Sequence, residues 1–451
     1  MVAVVTGSGL GLERSSGYVL GSRGQWGSST LGRYGENITV NAATGNLFVN
    51  RVDQILVGVG KDVAVERSYN SLATGDADNQ DNWRLNSQRR IIDFVSGVSV
   101  TRTDWDGSNV TYEWDGSAYV SRSGGGAYDT LTPNNSTSPT SWTWTDGTTQ
   151  ASETYATYTE SGVGTYWRLG SQLDNDGNVQ YLTYTGNKLT QIRSSSGEYT
   201  YLVWSGDNLS HIYSTYKPTT AESSNASFLF SMYDAAFDRV PDDAGFDQYF
   251  KSLNNGTKTV PAFGDDVYAS AEFQAKTFNG VAVASLSNAD FVEFLYQTVL
   301  NRASDSSGKT TNIAFLTNGG TRAALLLAFA QSQEHLNLLP GLGRVPPAQF
   351  AINNTRYEYD TSNRLTKVLI DKSPFLDLTP TNSLSTVDAN FITIQYSYDS
   401  TSDRITSINQ TGGSSLTIEY TTDGSYRVAK LTEIGSDTGI GNGMAARVTQ
   451  F

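Results

Sequence analysis

Few side chains in this 451-residue sequence could do acid–base or metal chemistry. There is no Cys and there are two His, so disulfides, thiolate–metal sites and His-rich centres are excluded by composition. His211 stands between Leu209 and Ile212 in a strand-like run, with no Ser or carboxylate at a motif spacing. His335 occupies the position that Phe273 holds in the other copy of a duplicated block, so it reads as a packing side chain. Hard-oxygen ligands are the better prospect. Asp76, Asp78 and Asp81 in one turn-rich stretch, and Asp174 and Asp176 in another, could order loops around a structural calcium ion. Neither run matches the twelve-residue EF-hand pattern. Two facing carboxylates could hydrolyse a glycosidic bond, but among 45 acidic residues the sequence selects no pair. No Gly-x-Ser-x-Gly elbow, His-Glu-x-x-His or phosphate-binding loop is present. The expectation is a protein without catalytic residues or an organic cofactor.

One glycine run imitates a cofactor site. Val4-Val5-Thr6-Gly7-Ser8-Gly9-Leu10-Gly11 resembles a strand leading into a dinucleotide-binding turn. No helical stripe follows, however, and Glu13 stands where the last glycine belongs. Residues 1–33 are therefore read as a Gly/Ser-rich arm, flexible or covering a sheet edge.

Charge and hydropathy narrow the partners. A net charge of −14 argues against nucleic acid and anionic membrane surfaces. No 18-residue apolar run exists, and Met1–Val5 lacks the basic flank of a secretory leader. The elements that must carry any function come in two kinds. Residues 34–221 and 346–451 alternate apolar and polar residues between turn residues, which is the period of half-buried strands. Asp106-Gly107, Asp115-Gly116, Asp146-Gly147 and Asp176-Gly177 suit two-residue hairpin loops with both residues at positive φ. All eight Trp fall between Trp26 and Trp204, placed to fill a core or a cross-strand ladder.

Between 222 and 345 the period becomes helical. Phe230, Tyr233 and Phe237, then Phe246, Tyr249, Phe250 and Leu253, recur at three- and four-residue spacing. Pro241-Asp242-Asp243, with the Pro in the first turn, and Ser287-Asn288-Ala289-Asp290 are expected helix starts. The block is duplicated: Tyr233, Arg239, Asp242 and Gly245 return as Tyr296, Arg302, Asp305 and Gly308, and Ser270-x-Glu272-Phe273 as Ser332-x-Glu334-His335. These signatures resemble an uncharacterised helical domain of bacterial exported proteins, related to the phycobilisome linker domain. Copy two departs from them at Ser304 and His335. Hairpins end at Ile212 and resume at Tyr357, so the block reads as an insertion into a loop.

The hairpins repeat one another. Arg356-Tyr357-Glu358-Tyr359-Asp360 leads to Arg364-Leu365-Thr366; Tyr396-Ser397-Tyr398-Asp399 leads to Arg404-Ile405; Tyr184 precedes Lys188-Leu189, and Trp204 precedes Leu209. This pattern resembles the YD-repeat (Rhs) family of bacterial secreted and surface proteins. Tyr34–Leu47 and Val63–Ser71 look like the region that opens the array in that family. The resemblance implies a curved hairpin sheet that can close into a shell around a toxic cargo. The family's Asp-Pro self-cleavage motif is missing here, and so that activity does not transfer. The fold class expected is mainly β with an α-helical insertion: an open, curved antiparallel hairpin array plus a small all-α module. The function expected is structural, in adhesion, assembly or cargo enclosure, for a secreted or cell-surface protein without a recognisable leader. A glycan-binding module and a homo-oligomer or filament pairing through sheet edges are the alternatives. Partners would be a surface glycan or protein, or neighbouring copies.

Overall fold

The computed structural model describes residues 3–5, 36–41, 44–56, 63–72, 79–121, 128–371, 391–411, 413–435 and 446–451. The chain is mainly antiparallel β with a helical insertion, and by spatial contact it forms two units. The helical unit takes Thr215–Ile352, and the strands up to Ser214 and from Asn353 belong to the other.

The β unit begins with a five-stranded sheet of β1 (Ala3–Val5), β2 (Asn37–Asn41), β3 (Leu47–Leu56), β4 (Val63–Asn70) and β5 (Trp83–Leu85). Strand β1 runs parallel to β2 on its outer edge, so the described piece of the N-terminal arm covers an edge. Eight strands follow: β6 (Arg90–Val95), β7 (Ser99–Thr103), β8 (Asn109–Trp114), β9 (Tyr119–Val120), β10 (Thr130–Pro133), β11 (Ser141–Thr145), β12 (Ser152–Glu160) and β13 (Gly164–Leu173). Each pairs with the next, and β13 returns to β6 through Trp167–Ile91 and Arg168–Arg90, closing a ring. The expected open sheet is therefore closed over these strands. Ile91, Val100, Tyr112, Tyr119, Leu131, Trp142, Tyr155, Trp167 and Leu169 point inward and fill the ring. Eight strands enclose an interior that side chains alone can fill.

The Asp-Gly turns differ from the expectation. Gly107 donates to Asp104 O while Asp104 N donates to Ser108 O, and Gly177 does the same across Asp174 and Asn178. Only the glycine has positive φ, 84° at Gly107 and 88° at Gly177. These are three-residue loops, a type I turn followed by a left-handed residue, and the preceding Asp needs no unusual backbone. Gly147 has no positive φ; its site admits no side chain because Tyr128 packs against it.

From β13 the sheet continues through β14 (Val179–Thr185), β15 (Lys188–Ser194), β16 (Tyr199–Ser205) and β17 (Asn208–Tyr216). The helical unit then intervenes, with α1 (Thr220–Phe237), α2 (Asp243–Asn254), α3 (Val260–Ala269), α4 (Ala271–Gln274), a short hairpin of β18 (Thr277–Phe278) and β19 (Val281–Ala282), α5 (Asn288–Thr298), α6 (Ser306–Thr317), α7 (Arg322–Ala330) and α8 (Gln333–Leu338). Asp242 and Ser287 cap α2 and α5, accepting from Gly245 N and Asp290 N, so Pro241 precedes the cap instead of lying in the first turn. The array resumes with β20 (Phe350–Tyr359), the sheet neighbour of β17, and runs through β21 (Leu365–Asp371), β22 (Phe391–Tyr398), β23 (Ile405–Gln410), β24 (Ser415–Tyr420), β25 (Val428–Ile434) and β26 (Arg447–Gln450). No described helix is long and apolar enough to cross a membrane.

Candidate functional site

The repeat is built from three recurring contacts. Each hairpin carries a β-bulge just before its second aromatic, between Thr183 and Tyr184, Val203 and Trp204, Glu358 and Tyr359, Ser397 and Tyr398, and Glu419 and Tyr420. The bulge turns that aromatic back across the preceding hairpin. Tyr184 donates to Leu169 O at 2.8 Å, Trp204 to Leu189 O at 2.7 Å, Tyr398 to Leu365 O at 2.6 Å and Tyr420 to Ile405 O at 3.0 Å. The cation before each Leu or Ile reaches forward instead. Arg168 donates to Gly186 O at 2.6 Å, Lys188 to Gly206 O, and Arg364 to Asp399 O and Ser402 O at 3.0 and 3.1 Å. The guanidinium of Arg364 also lies 5.0 Å from the ring centre of Tyr398, and that of Arg168 4.2 Å from that of Tyr184. The Asp closes its own turn: Asp360 accepts from Ser362 N, Arg364 N and Arg364 Nε at 2.9, 3.0 and 2.8 Å. Tyr, Asp, Arg and Leu in the repeat thus serve to stack one hairpin on the next.

The first tyrosine of a repeat gives its hydroxyl to the five-stranded sheet, and Tyr398 meets that sheet as well, accepting from Trp83 Nε1 at 2.9 Å. Tyr357 donates to Asp53 Oδ2 at 2.8 Å, and Tyr396 donates to Glu36 while accepting from Arg67 Nη1 at 2.9 Å. Arg67 closes the network with a 2.7 Å bond to Asp53 and lies 4.3 Å from the Trp83 ring centre. Burial pushes the hydroxyls of Tyr357 and Tyr396 well above the ordinary tyrosine range, so they remain donors. Tyr69 donates to Asp403 O at 2.8 Å and accepts from Ile405 N at 3.2 Å. Residues of the opening region thus tie the small sheet to the repeats. A second buried cluster ties β12 to β7: Glu153 accepts from Arg102 and Tyr155 at 2.7 and 2.5 Å, and pairs with Arg89. Burial alone would raise its carboxyl, but the two guanidinium groups hold it well below the carboxylate range.

The calcium candidates are placed as follows. Asp76 and Asp78 lie outside the described residues. Asp81 is buried and joins the small sheet to the repeats, with Oδ1 accepting from Trp83 N and Oδ2 from Leu365 N, both at 3.0 Å. Asp174 accepts from Asp176 N, Asn178 N and Asn178 Nδ2 at 3.0, 2.8 and 2.9 Å, which is turn capping, while Asp176 is exposed at the tip. Among the described residues no three His, Cys, Asp or Glu converge as they would on a metal ion.

In the helical unit the duplicated signatures have one geometry. Arg239 grips Glu272 through Nε and Nη2 at 3.0 and 2.9 Å, and Arg302 grips Glu334 in the same way. Asp242 and Asp305 cap α2 and α6 through Gly245 N and Gly308 N at 2.8 and 2.7 Å. Each glycine lies under a tyrosine hydroxyl, Tyr233 or Tyr296, which leaves no space for a Cβ. His335 is fully buried; its Nδ1 is 3.0 Å from Val299 O and its Nε2 3.2 Å from Ser231 O. One exchange escaped the sequence reading. Phe230 meets Phe246 edge to face at 6.0 Å, whereas the equivalent residues of copy two, Glu293 and Lys309, form an ion pair at 2.8 Å. Ser304, which replaces the signature Pro, also donates to Glu293.

Comparisons with known proteins agree with two of these regions. Residues 38–112 match the family described as "Domain of unknown function (DUF6531)", and residues 213–277 and 265–339 match "Domain of unknown function (DUF4214)". The two DUF4214 matches correspond to the two copies of the helical block. No curated protein matches. Among solved structures, the chain is similar to one in the Photorhabdus luminescens Tc holotoxin pore, at 11% identity and a TM-score of 0.30, over 41% of this chain and 13% of that one. It is also similar to one in a TcdB2–TccC3 crystal structure without the hypervariable C-terminal region, at 9% identity and a TM-score of 0.18, over 86% of this chain and 19% of that one. The chain therefore spans less than a fifth of the length of either.

Proposed function

We propose that this chain is a non-catalytic β-scaffold, a segment of a secreted or cell-surface YD-repeat assembly that serves adhesion, assembly or cargo enclosure. The observation that carries this reading is the two-sided use of the repeat aromatics. The rings bond hairpin to hairpin and also lock the array onto the five-stranded sheet, Tyr398 doing both. The polar and charged groups of this network hold one another, as expected of a rigid wall rather than of a reaction centre. The DUF6531 match over 38–112 agrees with a segment in which a repeat array opens. Protease treatment of intact producing cells and their medium tests the location. Digestion of this chain outside the cell supports the proposal, and full protection until lysis overturns it.

A further inference from the structure

The outer face of β15–β17 carries a feature that neither the hairpin ladder nor the inner lock uses. Tyr199, Tyr201, Tyr213 and His211 form a row of nearly parallel rings, with centres 6.0, 4.9 and 6.1 Å apart and interplanar angles of 20°, 19° and 23°. Inward tyrosines spend their hydroxyls on protein acceptors, as Tyr155 does on Glu153 and Tyr357 on Asp53. The hydroxyls of Tyr201 and Tyr213, both half-buried, enter no hydrogen bond among the described residues. At the end of the row His211 is 3% exposed and its Nε2 has no partner among the described residues. Beside the row runs a shallow groove of about 510 Å³, lined by Lys188, Thr190, Tyr201, Val203, Trp204 and Tyr213.

We propose that this groove binds a neutral oligosaccharide. Tyrosine offers an apolar ring and a hydroxyl on one rigid side chain, which suits a ligand with C–H faces and many hydroxyls. Among the described residues that line the groove, the one cation, Lys188, is committed to Gly206 O and paired with Asp207 at 3.0 Å, so the lining holds no unpaired cation for an anion. A peptide added as a strand needs a free sheet edge, but β16 is paired on both sides, by β15 and β17. This inference is independent of the scaffold reading.

The test is binding of the full chain to an array of neutral and uronic-acid oligosaccharides, followed by affinity electrophoresis in gels cast with mannan or β-glucan. Neutral oligosaccharides are expected to bind. Tyr201→Ala with Tyr213→Ala should weaken that binding about tenfold or more, a loss of about 1.4 kcal/mol. Tyr201→Phe with Tyr213→Phe keeps the stack and removes only the hydroxyls; it should weaken binding several-fold without moving the melting temperature. Binding to uronic-acid ligands alone, binding to no neutral glycan, or unchanged binding by the Phe pair would each overturn the proposal.

Discussion

His335 shows what one substitution between two copies of a motif entails. Phe273 in copy one is an apolar plug packed against Tyr268 and Phe294. His335 keeps that position but sets its ring nitrogens against two carbonyls, Val299 O and Ser231 O, and a neutral imidazole has one N–H to give to one of them. His335→Phe should therefore destabilise the helical unit by about 1–3 kcal/mol by removing the ring's hydrogen bond from a buried site, read by urea denaturation. An equally stable variant would mean that the ring is held by packing alone. Gly308→Ala is expected to cost about 1–3 kcal/mol by overpacking against the Tyr296 hydroxyl. Adding Tyr296→Phe should recover part of the loss, and no recovery would show that the backbone, not the hydroxyl, sets the limit. In the β unit, Asp53→Asn should cost about 3–5 kcal/mol, since Arg67 would remain buried without its counter-charge.

At the scale of elements, the Asp129 carboxylate shows the pH dependence of a hairpin connection. It accepts from Gly147 N at 3.0 Å between β9 and β10, and burial pushes its carboxyl up to about 6. A raised folded value favours the fold below the ordinary carboxylate range, and that contribution is lost as pH rises through about 6. Asp129→Asn, which can still accept from Gly147, should therefore stabilise the protein by about 1–2 kcal/mol near pH 7.5 and hardly at all near pH 3.5. A constant difference at both pH values would refute the titration argument. Elements were legible in the sequence where period and end signals agreed. Helices α2 and α5 start where Asp242 and Ser287 cap them, and the repeat hairpins stand where Tyr357–Leu365 and Tyr396–Ile405 predict them. The Asp-Gly loop type was not legible, because the same dipeptide serves two loop lengths and only the strand register chooses between them. Nor was the Glu293–Lys309 pair, since a contact between helices leaves no mark on either period.

At the scale of the molecule, strands β17 and β20 are sheet neighbours although the helical unit separates them in sequence. Replacing residues 217–349 by a short polar linker should therefore leave a β unit that unfolds in one cooperative step, followed by circular dichroism during heating. Aggregation, or loss of the transition, would show that the helical unit is needed for the array to form. The partners of two calcium candidates belong to different scales. Asp81 and Asp174 are hard-oxygen residues on turns, as the sequence suggests, but tertiary contacts give Asp81 to Leu365 N, 284 residues away, and the local turn takes Asp174.

The period-two hairpins, the switch to helical spacing from residue 222, the duplication, and the lack of Cys and near-lack of His are legible in the chain alone. All of these are written in neighbouring residues, and local backbone and burial preferences read them directly. Long-range contacts alone settle that β6–β13 close into a ring, that the repeat tyrosines bond both the next hairpin and the five-stranded sheet, and that Arg67, Asp53, Glu36 and Tyr396 share one buried network. Those facts depend on which strands meet far along the chain, and the same alternation of apolar and polar residues fits an open sheet, a closed ring or a locked wall equally well.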